Sequence, residues 1–234
     1  MKGAILHGTP RVLRYGIRSD QVDFLEEKLN ATFPYDHGAF GPPTAVNNSG
    51  GGGGGILDVV NLPRGGDVAH FWDRGSDANH GTHRDGVTQY LDDLNRDHYP
   101  TKIFDLDTWG SRGPVGRNSI QSSYLRYLLK YKIVVVCQRD YWEVHYRLME
   151  SLMAGALTMT DPMHPLPLYL VDGESVVVYR NHSDMGRLVG MYLNDTDMRL
   201  RVARKGHEVA MQYHRSWHGV ERLVFGNWSN NHGL

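Results

Sequence analysis

Three ionisable side chains stand on a helical repeat near the middle of the chain: Glu143, Arg147 and Glu150, at i, i+4 and i+7. That spacing places them on one face, opposite the apolar residues Val144, Leu148, Leu152 and Met153. A guanidinium followed one turn later by a carboxylate could grip a nucleotide. Arg147 would bind a phosphate, and Glu150 would accept from both hydroxyls of a ribose, because the two carboxylate oxygens are acceptors in one plane. The same spacing also describes a solvated salt-bridge ladder, and spacing does not choose between the two. Just upstream, Gln138-Arg139-Asp140-Tyr141-Trp142 sets a guanidinium and two aromatic rings where the helix would begin. An anion there would meet Arg139 and the positive end of the helix dipole, with Tyr141 beside it.

These residues need elements to hold them, and the hydrophobic pattern supplies an alternation of strands and helices. Val68 to Trp72, Ile103 to Leu106, Ile133 to Cys137, Ala156 to Thr160 and Ser175 to Tyr179 read as five short strands. Between them lie Val87, Tyr90, Leu91 and Leu94 at helical spacing, then Ile120, Tyr124 and Leu128, then the Arg147 helix, which stops at Gly155. Two helices close the chain, one carrying Met185, Leu188, Val189 and Tyr192, the other running from about Asp197 to Phe225. This alternation implies a Rossmann-like α/β domain over residues 61–234, a parallel sheet flanked by helices. In such sheets ligands bind beyond the carboxyl ends of the strands. Thr160 and Asp161, at the tip of the fourth strand and leading into Pro162-Met163-His164-Pro165, are therefore expected to meet a bound ligand. Asp73 and Arg74 past the first strand, and Asp105, Asp107, Arg112 and Arg117 past the second, fit turns and solvated loops as well as a site.

Residues 1–60 are patterned more weakly. Ser19 precedes a short helical run, Val22, Leu25 and Leu29, and six glycines at Gly50–Gly55 read as a flexible linker. They are not a phosphate-cradling P-loop, because Ile56-Leu57-Asp58 follows instead of Gly-Lys-Ser/Thr. With 25 basic and 26 acidic side chains no global field draws in nucleic acid, so an anion site must be local. The single cysteine, Cys137, excludes a disulfide scaffold and reads as a buried strand thiol. There are 13 histidines, including His80 and His83, but no Cys-His or carboxylate-His set at established ligand spacing accompanies them, so no metal site is expected. The start, MKGAILHG, breaks too early for a signal peptide or a span. The chain as given is expected in the cytoplasm, or in the Golgi lumen if it is a fragment.

The order of these motifs carries a resemblance. Tyr124-Leu125-Arg126-Tyr127-Leu128, Lys132 to Val136, Arg147 to Leu157, Leu193-Asn194-Asp195, Arg199 to Ala210 and Ser216-Trp217 together resemble the C-terminal half of GT-B glycosyltransferases. The similarity is closest to the spore-maturation-protein-like, group 1 enzymes, with exostosin-type enzymes more distant. It implies a nucleotide-diphosphate sugar as donor, with Glu150 on the ribose, the Arg139 loop near the diphosphate and hexosyl transfer to an acceptor that no motif identifies. It implies no cofactor and no metal. Glu143 and Glu150 have six residues between them where many GT-B enzymes have seven, so Arg147 takes the first place of the pair. Residues 1–60 are too short for the other GT-B domain, so a truncated or split enzyme is expected. The alternative is a non-catalytic nucleotide-sugar-binding half that acts through a partner chain supplying the N-terminal domain. No residue is assigned as catalytic.

Overall fold

The computed structural model describes residues 59–72, 81–106, 126–138, 146–163, 165–215 and 218. Five strands form one parallel sheet: β1 (Gly66–His70), β2 (Phe104–Leu106), β3 (Tyr131–Val136), β4 (Leu157–Thr160) and β5 (Val177–Val178). Their order is β2-β1-β3-β4-β5. The chain steps outward from β1 to β2, then returns past β1 to build β3, β4 and β5 on the other side. The winding direction therefore reverses between β1 and β3, and that reversal opens a crevice at their carboxyl ends.

Alternation along β3 explains why the sheet carries helices on both faces. Val134 and Val136 face one way, into a core with Leu148, Leu152 and Met153 of α2 (Tyr146–Met153) and Val209 and Ala210 of α4 (Thr196–Tyr213). Ile133, Val135 and Cys137 face the other way. There they meet Val87 and Leu91 of α1 (Gly81–His98), Met185 and Val189 of α3 (His182–Asn194), and Val202 and Ala203 of the first turns of α4. The apolar spacing of each helix predicts these contacts. Val59 and Val60 also pack into the second core, so the folded unit includes at least two residues ahead of position 61.

Local chemistry sets the helix ends. Asn181 caps α3 through the Asp184 amide, and Asp195 caps α4 through the Met198 amide. Gly155 ends the α2 corner at φ 67°, where an added Cβ would crowd Val59 and Val60 at 3.1 Å. α4 lets the Ser175 carbonyl approach at Gly206 so closely that any side chain there would collide with it. β2, β3 and β4 shift by one or two residues from the sequence expectation, and β1, β5 and α4 differ as well. β1 begins at Gly66 and ends at His70, because the Gly66 amide bonds Lys130 while the Trp72 amide turns back to His70. β5 is only two residues long. α4 stops at Tyr213 rather than near Phe225: His214 leaves helical geometry and its Nε2 meets the Leu168 carbonyl at 2.8 Å. Among the described residues no helix is long and apolar enough to cross a membrane.

Candidate functional site

The β1/β3 crevice is lined by His70 and Trp72 from the end of β1, Val136 and Cys137 from the end of β3, Arg84 from the first turn of α1 and Arg147 from the first turn of α2. Two guanidiniums from two helix starts thus converge on one cavity. Each is steadied by an aromatic face. Arg84 lies with Cζ 4.6 Å from the Trp72 ring centre, and Arg147 with Cζ 5.5 Å from that of Tyr146. The Trp72 ring is held in turn by its own Nε1, which donates to Asp85 Oδ1 at 2.6 Å. Arg84 is 3% exposed, a degree of burial rare for an arginine.

His70 lies between the two cations. Its Nδ1 meets the Val135 carbonyl at 2.9 Å, so Nδ1 carries the proton and Nε2 presents a lone pair. Nε2 is buried, without a hydrogen bond of good geometry among the described residues. Burial pushes the imidazole pKa down to about 4; backbone hydrogen bonds with Val135 and Arg84 oppose that shift, and the charges of Arg147 and Arg84 add to it. The ring is therefore neutral at pH 7.

A second polar group adjoins the crevice at the tips of β3 and β4. Asp161 Oδ1 accepts the Gln138 amide at 2.9 Å and the Thr160 hydroxyl at 3.3 Å, while the Gln138 side chain donates to that hydroxyl at 3.1 Å. Asp161 Oδ2 faces His83 Nε2 at 3.2 Å and the Cys137 thiol at 3.6 Å. The Asp161 hydrogen bond and charge raise the His83 pKa against partial burial. Burial, with the Asp161 charge behind it, pushes the Cys137 thiol well up, so this cysteine is no nucleophile.

Of the residues expected at the site, Arg147 lines the crevice. Glu150 follows one turn along α2, half-buried and outside that lining. Asp161 is at the strand tip, whereas Thr160 is fully buried behind it with its hydroxyl engaged. Arg139 and Tyr141 lie outside the described residues, as do Glu143, the Gly50–Gly55 run, Asp73, Arg74, His80, Asp107, Arg112, Arg117, His164 and Ser216-Trp217. His70, Trp72 and Arg84 were not singled out by the sequence pattern. His70 and Trp72 read as ordinary strand-end residues, and Arg84 as one polar residue among several on an amphipathic helix. The usable signal was topological: a reversal between β1 and β3 points to the ends of those two strands.

No curated protein matches the sequence. Among solved structures, the C-terminal domain of a glycosyl transferase group 1 family protein (LpcC) from Francisella tularensis is 12% identical, with 64% of this chain and 87% of that one covered and a TM-score of 0.43. Sucrose-phosphate synthase from Thermosynechococcus elongatus is 13% identical, with 72% of this chain and 40% of that one covered and a TM-score of 0.44. A family model described as glycosyl transferase-like matches residues 89–224, from within α1 to beyond α4. That match spans more than half of the chain, and the chain accordingly belongs to the glycosyl transferase-like family.

Proposed function

We propose that this chain is the donor-binding half of a GT-B glycosyltransferase and moves a hexose from a nucleotide-diphosphate sugar to an acceptor. The observation that carries the reading is the convergence of Arg84 and Arg147 on the β1/β3 crevice. When the glycosidic bond to the diphosphate breaks, negative charge grows on the leaving oxygen. Two guanidiniums already oriented by Trp72 and Tyr146 stabilise that charge without reorganising, and more strongly in the transition state than in the ground state. Arg139, three residues past β3 in the sequence, is the third cation of this reading, with Tyr141 on the nucleotide. Glu150 takes the ribose hydroxyls, Asp161 meets the donor sugar, and Thr160 supports Asp161 from behind. His70 Nε2 accepts from a donor hydroxyl. In this mechanism the leaving group is stabilised by fixed protein charges, so the transfer step itself requires no metal and no cofactor.

Titration of the folded chain with uridine and guanosine diphosphate by calorimetry tests the reading. One of them should bind, and Arg147→Ala should weaken that binding by about tenfold to a hundredfold, the worth of one or two charge-assisted contacts. No binding of any nucleoside diphosphate at millimolar concentration by a demonstrably folded sample would remove the donor assignment. Binding without transfer would favour the half-domain that acts through a partner chain.

A further inference from the structure

We propose that His83, Cys137 and Asp161 form a binding site for one zinc-like transition-metal ion, with the Tyr179 hydroxyl or a water at the fourth position. The three ligand atoms lie within 4.8 Å of one another, although they come from α1, the end of β3 and the end of β4. One imidazole, one thiol and one carboxylate are a donor set that suits zinc or cobalt(II) and not a hard cation such as calcium or magnesium.

The spacings that make a hydrogen bond and ion pair without metal also fit an ion bridging the three groups. His83 Nε2 stands 3.2 Å from Asp161 Oδ2, longer than the roughly 2.7–2.9 Å of a charge-assisted hydrogen bond. Tetrahedral coordination with usual zinc–nitrogen, zinc–oxygen and zinc–sulfur bonds separates neighbouring ligand atoms by about 3.3–3.6 Å. The 3.2 Å from His83 and the 3.6 Å from Cys137 to the same oxygen are close to those edges. The carboxylate is also oriented in advance. Its other oxygen is occupied by the Gln138 amide and the Thr160 hydroxyl, which leaves Oδ2 directed at the other two ligands, as outer partners of metal-bound carboxylates commonly do.

A second, independent observation concerns Tyr179. Its side chain is 2% exposed and its hydroxyl interacts with the Cys137 thiol, with the charges of Cys137 and Asp161 also acting on it. A thiol is a weak hydrogen-bond partner, so an ion bound at Cys137 would give this buried phenol a stronger one. Coordination releases the Cys137 thiol proton to solvent and puts a thiolate against the cation, so the buried sulfur gains the countercharge it otherwise lacks. Because His83 belongs to the first turn of α1 and Arg84 follows it, the ion would pin the start of α1 to the strand tips and fix the approach of Arg84 to the crevice. The site shares Asp161 with the proposed donor pocket, but metal binding is read without a nucleotide, so its test does not depend on the donor assignment.

The full chain, freed of metal by chelation, should be titrated with cobalt(II) and then zinc(II), each alone. The expected result is one cobalt per chain, with thiolate-to-cobalt charge-transfer absorption in the near ultraviolet and the intense visible bands of four-coordinate cobalt. Zinc should displace the cobalt and raise Tm. Cys137→Ser should abolish the charge-transfer band. Cys137 is buried and this variant could fail to fold, so the decisive variant is His83→Gln, whose side chain is 55% exposed. It should lower metal affinity by more than about tenfold, whereas His98→Gln, on the exposed end of α1, should leave affinity unchanged. Absence of stoichiometric binding, binding without the thiolate band, or wild-type affinity in His83→Gln would each overturn the proposal, the last by showing scattered surface histidines to be the ligands.

Discussion

Arg64 and Arg84 sit at opposite ends of the same sheet, and their surroundings differ in kind. At the amino end, Arg64 donates to five backbone carbonyls: those of Leu128, Leu129, Tyr131, Val59 and Ala154, at 2.6–3.3 Å. These carbonyls belong to the segments that lead into β3 and β4 and to the turn before β1, so one side chain ties the amino edge together. Burial, aided by the charge of Arg199, lowers its pKa to about 10, still far above neutrality, so the cation persists. At the carboxyl end, Arg84 and Arg147 rest on aromatic faces and border a cavity. A guanidinium enclosed by carbonyls stabilises the fold; under the proposed function, the guanidiniums that line the crevice hold charge for an anion. Position at one or the other end of the strands, not residue type, separates the two roles.

Breaking the amino-end cluster should have the largest effect on stability. Arg64→Met leaves several carbonyls without their charged donor, and urea denaturation should show a loss of about 3 kcal/mol or more, the order expected when one charged donor to several part-buried carbonyls is removed. A loss below about 1 kcal/mol would show that the carbonyls find water instead, and the contrast between the two ends would fade.

His70 tests the carboxyl end through pH. Its folded pKa, about 4, lies below the ordinary 6.5, so the unfolded chain binds the extra proton first as pH falls. The contribution is complete above about pH 6.5 and is lost progressively as pH drops toward 4, amounting to about 3 kcal/mol. His70→Gln should show a shallower loss of stability over that window than the parent chain. Parallel curves would mean that His70 is protonated in the native crevice.

The smallest effect on stability is expected at Glu150. Glu150→Gln should change unfolding free energy by no more than about 0.5 kcal/mol. Nucleoside diphosphate affinity, measured by calorimetry, should nevertheless fall about tenfold to a hundredfold if the carboxylate holds the ribose. A 2′-deoxy ligand should respond much less, because both changes remove one shared interaction. Equal losses for both ligands would place Glu150 outside the donor site, in keeping with its position beyond the crevice lining.

The order of strands and helices was legible in the sequence because each element declares its buried face locally. Val87, Leu91 and Leu94 on α1, and Leu148, Leu152 and Met153 on α2, are buried as their spacing predicts. Arg147's place at the crevice was legible because it lies in the first turn of an amphipathic helix that follows an apolar strand. Where sequence reading fell short, the determining contacts were distant. The end of α4 is set by His214 reaching Leu168, 46 residues away. Arg84 looks like any solvated helix residue until β1 and Trp72 close over it. His83, Cys137 and Asp161 share no motif spacing, since 78 and 24 residues separate His83 and Cys137 from Asp161. Periodicity is a property of neighbours along the chain, and it determined the elements. Only the β2-β1-β3-β4-β5 order, which depends on how those elements pack, decided that the first turns of α1 and α2 and the tips of β1 and β3 would meet in one crevice, with the tip of β4 beside it.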